Sequence, residues 1–205
     1  MSDPSLLLAL HSSTERFGVA VLDSSAGVPA QQAVFDDGRA LSNTLLRRVE
    51  SVLPAPRWSG LQGLAVATGP GGFTGTRLTV VMARTLAQQL GVPLLGISSF
   101  ALMAARLCGD LSDPSGGFWI TRELPRRGVV GGSYQVNLGV VEELEPPHLL
   151  QPGRSLGPMV LEADDDVEAD VIRLLNELQT ALARGQSCPW QSVLPIYPTS
   201  PVGVV

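Results

Sequence analysis

The chain has 205 residues, of which 44% are apolar and 16% charged, and its formal net charge is −5. That composition supplies a buried core and excludes a largely disordered chain, while so low a charge density suggests a surface partly covered by another chain. The acidic balance argues against a protein that grips tRNA or DNA on its own, which would carry a basic face.

Residues 5–10 (SLLLAL) read as a short strand buried on both faces. After the polar turn Ser12-Ser13-Thr14-Glu15-Arg16, Phe17 to Leu22 resumes a strand and Gln31 to Phe35 gives a third, so the first three elements form an antiparallel meander. From Ala40 to Leu53 the period changes: Leu41, Leu45, Val49, Val52 and Leu53 fall on one helical face, and Pro54 and Pro56 end it. Gly63 to Thr68 is another buried strand, followed by the glycine loop Gly69 to Gly75 and a helix from Arg77 to Leu90. Leu94 to Ser98 is a strand, and Ser99 to Leu107 a helix with Ser98 or Ser99 as its N-cap. The order βββ-α-β-α-β-α predicts an α/β fold, a mixed sheet with helices on its faces, and is the order of the ribonuclease-H-like lobe of actin-like ATPases.

Beyond Gly109 the character shifts, so a lobe over residues 1–109 and a smaller second lobe over 110–205 are expected. Residues 110–117 are linker-like. Phe118 to Thr121, Ser133 to Val141 and Leu149 to Gln151 are candidate strands. Ala163 to Arg184 is a helix with Asp164, Asp165 and Asp166 favouring its N-terminus, and the proline-bearing stretch Pro189 to Pro201 is extended. Cys108 and Cys188 have no CxxC or metal-site spacing and fit a reducing compartment. Met1 to Pro4 carries no basic leader, and no apolar run approaches the ~20 residues of a membrane span, so a cytoplasmic location with no membrane contact is expected.

The candidate site is the loop Gly69-Pro70-Gly71-Gly72-Phe73-Thr74-Gly75, which joins a buried strand to a helix. Glycines let backbone N–H groups turn toward a ligand and the helix N-terminus attracts anions, so the loop suits a phosphate; a tight turn that packs helix on sheet explains it equally well. It lacks the lysine of a P-loop and is not a GxGxxG fingerprint. A phosphoryl-transfer site in this fold would also place a carboxylate at the end of the first strand, where His11 stands. His11 reads instead as a strand-end side chain bonded to the backbone. His148, the other histidine, lies beside Pro146 and Pro147, and no metal-ligand spacing is present. No nucleophile arrangement stands out either. Arg122, Arg126 and Arg127 form the one arginine cluster, read as a solvated loop ahead of a phosphate patch.

The stretches Leu6 to Thr14 (LLLALHSST), Val19 to Asp23 (VAVLD) and Gly63 to Phe100, which contains GPGGFTGTR and GVPLLGISS, together with Pro195-Ile196-Tyr197, resemble the TsaB/YeaZ family. That family is the paralogue and dimerisation partner of TsaD, the catalytic subunit that makes threonylcarbamoyladenosine beside the anticodon of tRNA. The chain departs from the family's pattern at His11, where an aspartate is usual, at Ala40 to Thr44, where a histidine is common, and over Thr121 to Tyr134. The resemblance implies a non-catalytic subunit that binds a TsaD-like chain through its first two helices, with Leu41, Leu45, Val49, Leu78, Val81, Met82 and Thr85 as interface residues. Val80, Ala83 and Ala87 make a second apolar face whose small residues would admit a further helix; a helix enclosed in its own domain is the competing account. The resemblance also implies no cofactor, no catalytic residue and no direct contact with tRNA. It is compatible with a homodimer when the partner is absent and with an ATPase as third subunit. An ATP-binding or glycoprotease-like enzyme of the same superfamily is the alternative.

Overall fold

A computed structural model of the chain describes residues 5–198 except 112. The expectation for Met1 to Pro4 and the end of the Pro189 to Pro201 stretch lie outside the described residues.

The apolar runs and the meander form as the hydropathy pattern dictates. β1 (Leu6–His11), β2 (Phe17–Asp23) and β3 (Gln31–Phe35) pair antiparallel, and β4 (Leu61–Ala67) and β5 (Leu94–Ile97) add in parallel on the other side of β1. The order β3-β2-β1-β4-β5 makes a mixed five-stranded sheet, with α1 (Leu41–Val52) and α2 (Phe73–Leu90) as the connections around β4. Leu6, Leu8 and Leu10 of β1, Phe17, Val19 and Val21 of β2, and Leu64 and Val66 of β4 share one core with Leu41, Val49, Val80, Ala83 and Ala87 of the two helices.

The opposite face of this sheet is covered by α4 (Val167–Ala183), which the chain supplies only after an excursion of 68 residues, 98–165. Small residues make room for it. A Cβ on Gly18 would lie 2.8 Å from Val167 Cγ1, and one on Gly63 3.0 Å from Leu182 Cδ1. Val171, Leu174, Leu175 and Leu178 are buried there. The helix begins four residues later than its acidic approach suggested: the Asp166 side chain accepts from the Ala169 N–H at 3.0 Å and so caps it, leaving 163–165 outside.

The chain therefore divides into two compact units, residues 5–97 with 166–195, and residues 98–165 with 196–198. The contiguous boundary expected near residue 109 differs from this at both ends. α3 (Ser99–Leu107) packs in the second unit and α4 in the first, because each goes to the sheet that its apolar side covers. The second unit is a four-stranded sheet of order β8-β7-β6-β9, built from β6 (Phe118–Leu124), β7 (Gly128–Asn137), β8 (Val140–Leu149) and β9 (Val160–Glu162). The single strand expected over Ser133 to Val141 is two strands of a hairpin. Its turn has Leu138 and Gly139 both at positive φ, 50° and 78°. Leucine at the first of those positions conceals a turn that asparagine or glycine would have announced. α3 starts at its expected cap: Ser98 Oγ accepts from the Ala101 N–H at 3.0 Å. No helix among the described residues is long and apolar enough to cross a membrane.

Candidate functional site: the glycine loop and the outward face of the first two helices

The glycine loop is committed to packing. A Cβ on Gly71 would stand 1.8 Å from the Ser13 carbonyl oxygen and 2.5 Å from its carbon, so only glycine fits against the β1–β2 turn. The Gly72 N–H donates to Ser13 O at 2.8 Å, and thus points into the fold. Below it a chain of hydroxyls ties the same turn to α2: Ser12 Oγ donates to Thr79 Oγ1 at 2.7 Å, and Thr79 Oγ1 to Gly75 O at 3.0 Å. Gly69 and Pro70 are buried, while Gly71, Gly72 and Thr74 are exposed. The geometry accounts for Gly71 without a ligand, and for the direction of the Gly72 N–H.

His11 is not the backbone-bonded strand-end residue expected. β1 continues through it, opposite Gly18 of β2, on the face that Val167 and Val171 cover. It is 0% exposed, and neither ring nitrogen has a hydrogen-bond partner among the described residues. Burial alone pushes its pKa down from 6.5 to about 4, so the imidazole is held neutral. Among the described residues no group of three or more His, Cys, Asp or Glu side chains is placed to hold a metal ion.

The helices next to the loop are fixed from both ends. Arg48 clamps Asp37 in the β3–α1 connection through Nε and Nη2, at 2.9 and 2.7 Å, while its guanidinium lies 4.5 Å from the Phe35 ring centroid. This clamp, with burial opposing it, holds the Asp37 carboxyl below the usual carboxylate range. Arg84 of α2 lies 5.8 Å over the Trp190 ring.

The structure divides the expected interface residues. Leu41, at 4% exposure, and Val49, at 0%, belong to the chain's own core and are not available to a partner. The apolar stripe of α1 that placed them together is the stripe that faces its own sheet. Val80, Ala83 and Ala87 are likewise fully buried, so the small face of α2 lies on its own core and not against a further helix. Val81 is 60% exposed and Thr85 exposed, whereas Leu78 and Met82 of α2 and Leu45 of α1 are half-buried. Leu46 of α1, 52% exposed, was missed because it lies off the stripe. Among the described residues of α2, the exposed ones are Thr74, Val81, Thr85, Gln88 and Gln89, none of them charged, while Arg77 and Arg84 are half-buried like Leu78 and Met82. A helix face left to water normally carries charged residues.

In the second unit, Ser98 Oγ donates to Glu143 Oε2 at 2.5 Å and the Tyr134 hydroxyl donates to the same oxygen at 3.2 Å. Burial, followed by the Glu143 charge, raises the Tyr134 pKa and keeps the phenol protonated. Ser98 sits beside a carboxylate at a helix N-terminus, but its lone pair caps α3 and it is buried, so it serves structure. The arginine cluster is dispersed: Arg122 pairs with Asp165 at 2.7 Å, whereas Arg126 and Arg127 are exposed in the β6–β7 turn.

Comparison with known proteins now adds to this geometry. Residues 38–116 match the family model described as TsaD, tRNA N6-adenosine threonylcarbamoyltransferase. The chain is 37% identical over 88 residues to the tRNA threonylcarbamoyladenosine biosynthesis protein TsaB of Bacillus subtilis (strain 168), a match that spans 42% of this chain and 36% of that relative's length. Two solved structures from Pseudomonas aeruginosa match nearly end to end at 25% identity. One, described as similar to the peptidase YeaZ, has a TM-score of 0.73 with 95% of this chain and 100% of the other covered. The second, YeaZ, has a TM-score of 0.71 with 94% and 99% covered. Sequence similarity to TsaB, a TsaD-type match over α1, α2 and α3, and a backbone that follows YeaZ point the same way: the chain is similar in sequence and fold to the TsaB/YeaZ proteins.

Proposed function

We propose that this chain is a non-catalytic subunit of tRNA threonylcarbamoyladenosine biosynthesis, which binds a TsaD-like catalytic chain through the outward face of α1 and α2. The observation that carries the reading is that the exposed residues described in α2 are uncharged, Val81 among them, and that Leu46 of α1 is exposed as well. Apolar surface exposed along a five-turn helix is stabilised by another chain, and a stable complex of this kind buries about 800 Å² per partner. The printed role of the Bacillus subtilis TsaB, threonylcarbamoyladenosine biosynthesis, supports the process, and the match to the TsaD family model supports a paralogous partner. Self-pairing through the same face is what the surface would do when the partner is absent.

The non-catalytic part of the reading rests on two features. The position where a carboxylate would hold a divalent cation is a buried neutral His11, a poor ligand for magnesium. The glycine loop spends the Gly72 N–H on Ser13. Mixing the purified chain with the TsaD-like protein of the same organism should give a one-to-one complex by size exclusion with light scattering. Val81→Asp combined with Met82→Asp should abolish it. A doubly charged chain that still copurifies with the partner refutes the interface.

A further inference from the structure

The segment between β8 and β9, residues 150–159, runs over the face of the second unit's sheet that carries Trp119 and Gly131, with no regular structure of its own. It is anchored at its start, where the Leu150 N–H donates to Val129 O at 2.8 Å and the Leu150 side chain occupies the space above Gly131. Residues 151–155 are exposed, and Gly153 and Gly157 are both in the left-handed region, at φ 79° and 76°. Arg154 fastens the segment to the sheet at a second point. Its guanidinium lies 4.6 Å from the Trp119 ring centroid. Nη2 donates to both oxygens of Glu145, at 2.6 and 2.9 Å, and Nη1 reaches His148 Nε2 at 3.1 Å.

These groups are matched to a guanidinium one by one. His148 Nδ1 lies 2.9 Å from Pro146 O, which can only accept, so the proton is on Nδ1 and Nε2 is a neutral acceptor aimed at Arg154. The imidazole is itself braced edge-on against Trp119, with centroids 6.3 Å apart. A carboxylate for one nitrogen, an imidazole lone pair for the other and an indole face for the plane select a flat, forked cation over an ammonium point charge. Trp119 is almost fully buried beneath this arrangement.

The geometry points to a guanidinium-binding seat on the second unit, made by Trp119, Glu145 and His148. Arg154 occupies it in cis, and an arginine side chain of a partner protein takes it when the 150–159 segment lifts. The segment is then an internal competitor: Arg154, which holds it over Trp119, has the chemistry of the ligand it excludes. This inference does not depend on the proposed function, since it involves neither α1 nor α2.

The test uses the full chain with Arg154→Ala, and with Arg154→Met as a second variant that keeps an aliphatic stem on Trp119. N-ethylguanidinium is titrated in, with ethylammonium at matched ionic strength as the comparison, and the Trp119 indole N–H is followed by NMR after assignment with Trp119→Phe. A saturable shift of Trp119 alone is expected in both variants, with ethylammonium roughly tenfold weaker or silent. Adding Glu145→Gln should abolish the shift, and acetyl-Gly-Arg-Gly-amide should reproduce it. Folding is read from the Trp58 and Trp190 indoles, which should not move. No saturable shift in either folded variant, or equal shifts with the two cations, overturns the assignment.

Discussion

Replacing Gly71 by alanine separates the packing role of the glycine loop from a ligand role. The new Cβ would meet Ser13 O at 1.8 Å, Ser13 C at 2.5 Å and Ser13 Cα at 2.7 Å, all backbone atoms that no rotamer change can move. The turn and the loop must separate, with loss of the Gly72 N–H to Ser13 O bond. Overpacking of this kind costs about 1–3 kcal/mol and the lost hydrogen bond about 1 kcal/mol more. With about 3 kcal/mol as the central value, the melting temperature should fall by about 10 °C. Gly72→Ala is the matched comparison. Its Cβ would lie 3.4 Å from Thr14 O, an ordinary contact, and its φ of −57° suits alanine, so it should be neutral or stabilise by about 0.5 kcal/mol. Calorimetry of the two variants in ligand-free buffer decides the matter. Equal melting temperatures for Gly71→Ala and Gly72→Ala would refute the packing account.

Other predictions follow from the same contacts. His11 is neutral in the fold with a pKa of about 4 against 6.5 when unfolded, so the unfolded chain binds the extra proton between those values; stability is fully present above pH 6.5 and declines by about 3 kcal/mol as the pH falls through about 4. Denaturant midpoints across pH 4–7 should show that slope, and His11→Leu should flatten it. Ser98→Ala removes the cap of α3 and the hydroxyl bonded to Glu143, and should cost about 1–2 kcal/mol in a urea titration. Val49→Asp would place a charge in the core and should unfold the chain by circular dichroism, whereas Val81→Asp should leave the monomer's melting curve within about 0.5 kcal/mol of the parent.

Much of the first unit was legible because its signals are local. The meander's apolar runs, the 3.6-residue period of α1 and the Ser98 cap each sit within a few residues of the element they define. Which side of α1 and α2 stays exposed was half legible for a physical reason. An apolar stripe marks the side of a helix that needs cover, but does not say whether its own sheet or another chain covers it. Leu41 and Val49 went to the sheet, and Leu46 and Val81 were left outside. The environment of His11 was not legible at all, because α4, whose Val167 and Val171 cover the sheet at the paired Gly18, follows about 150 positions later. The division into units was hidden for the same reason: nothing local in α4 says that it returns to the first sheet. The β7–β8 hairpin was missed because Leu138 occupies a left-handed position that leucine rarely takes.

The central claim is that the exposed face of α2 is a protein-binding surface. Its most direct test is the mass of the chain mixed with the TsaD-like protein of its own organism, measured by size exclusion with light scattering, beside the Val81→Asp chain shown to be folded. The account predicts a one-to-one complex for the parent and none for the variant. No complex with the parent, or an undiminished complex with the variant, contradicts it.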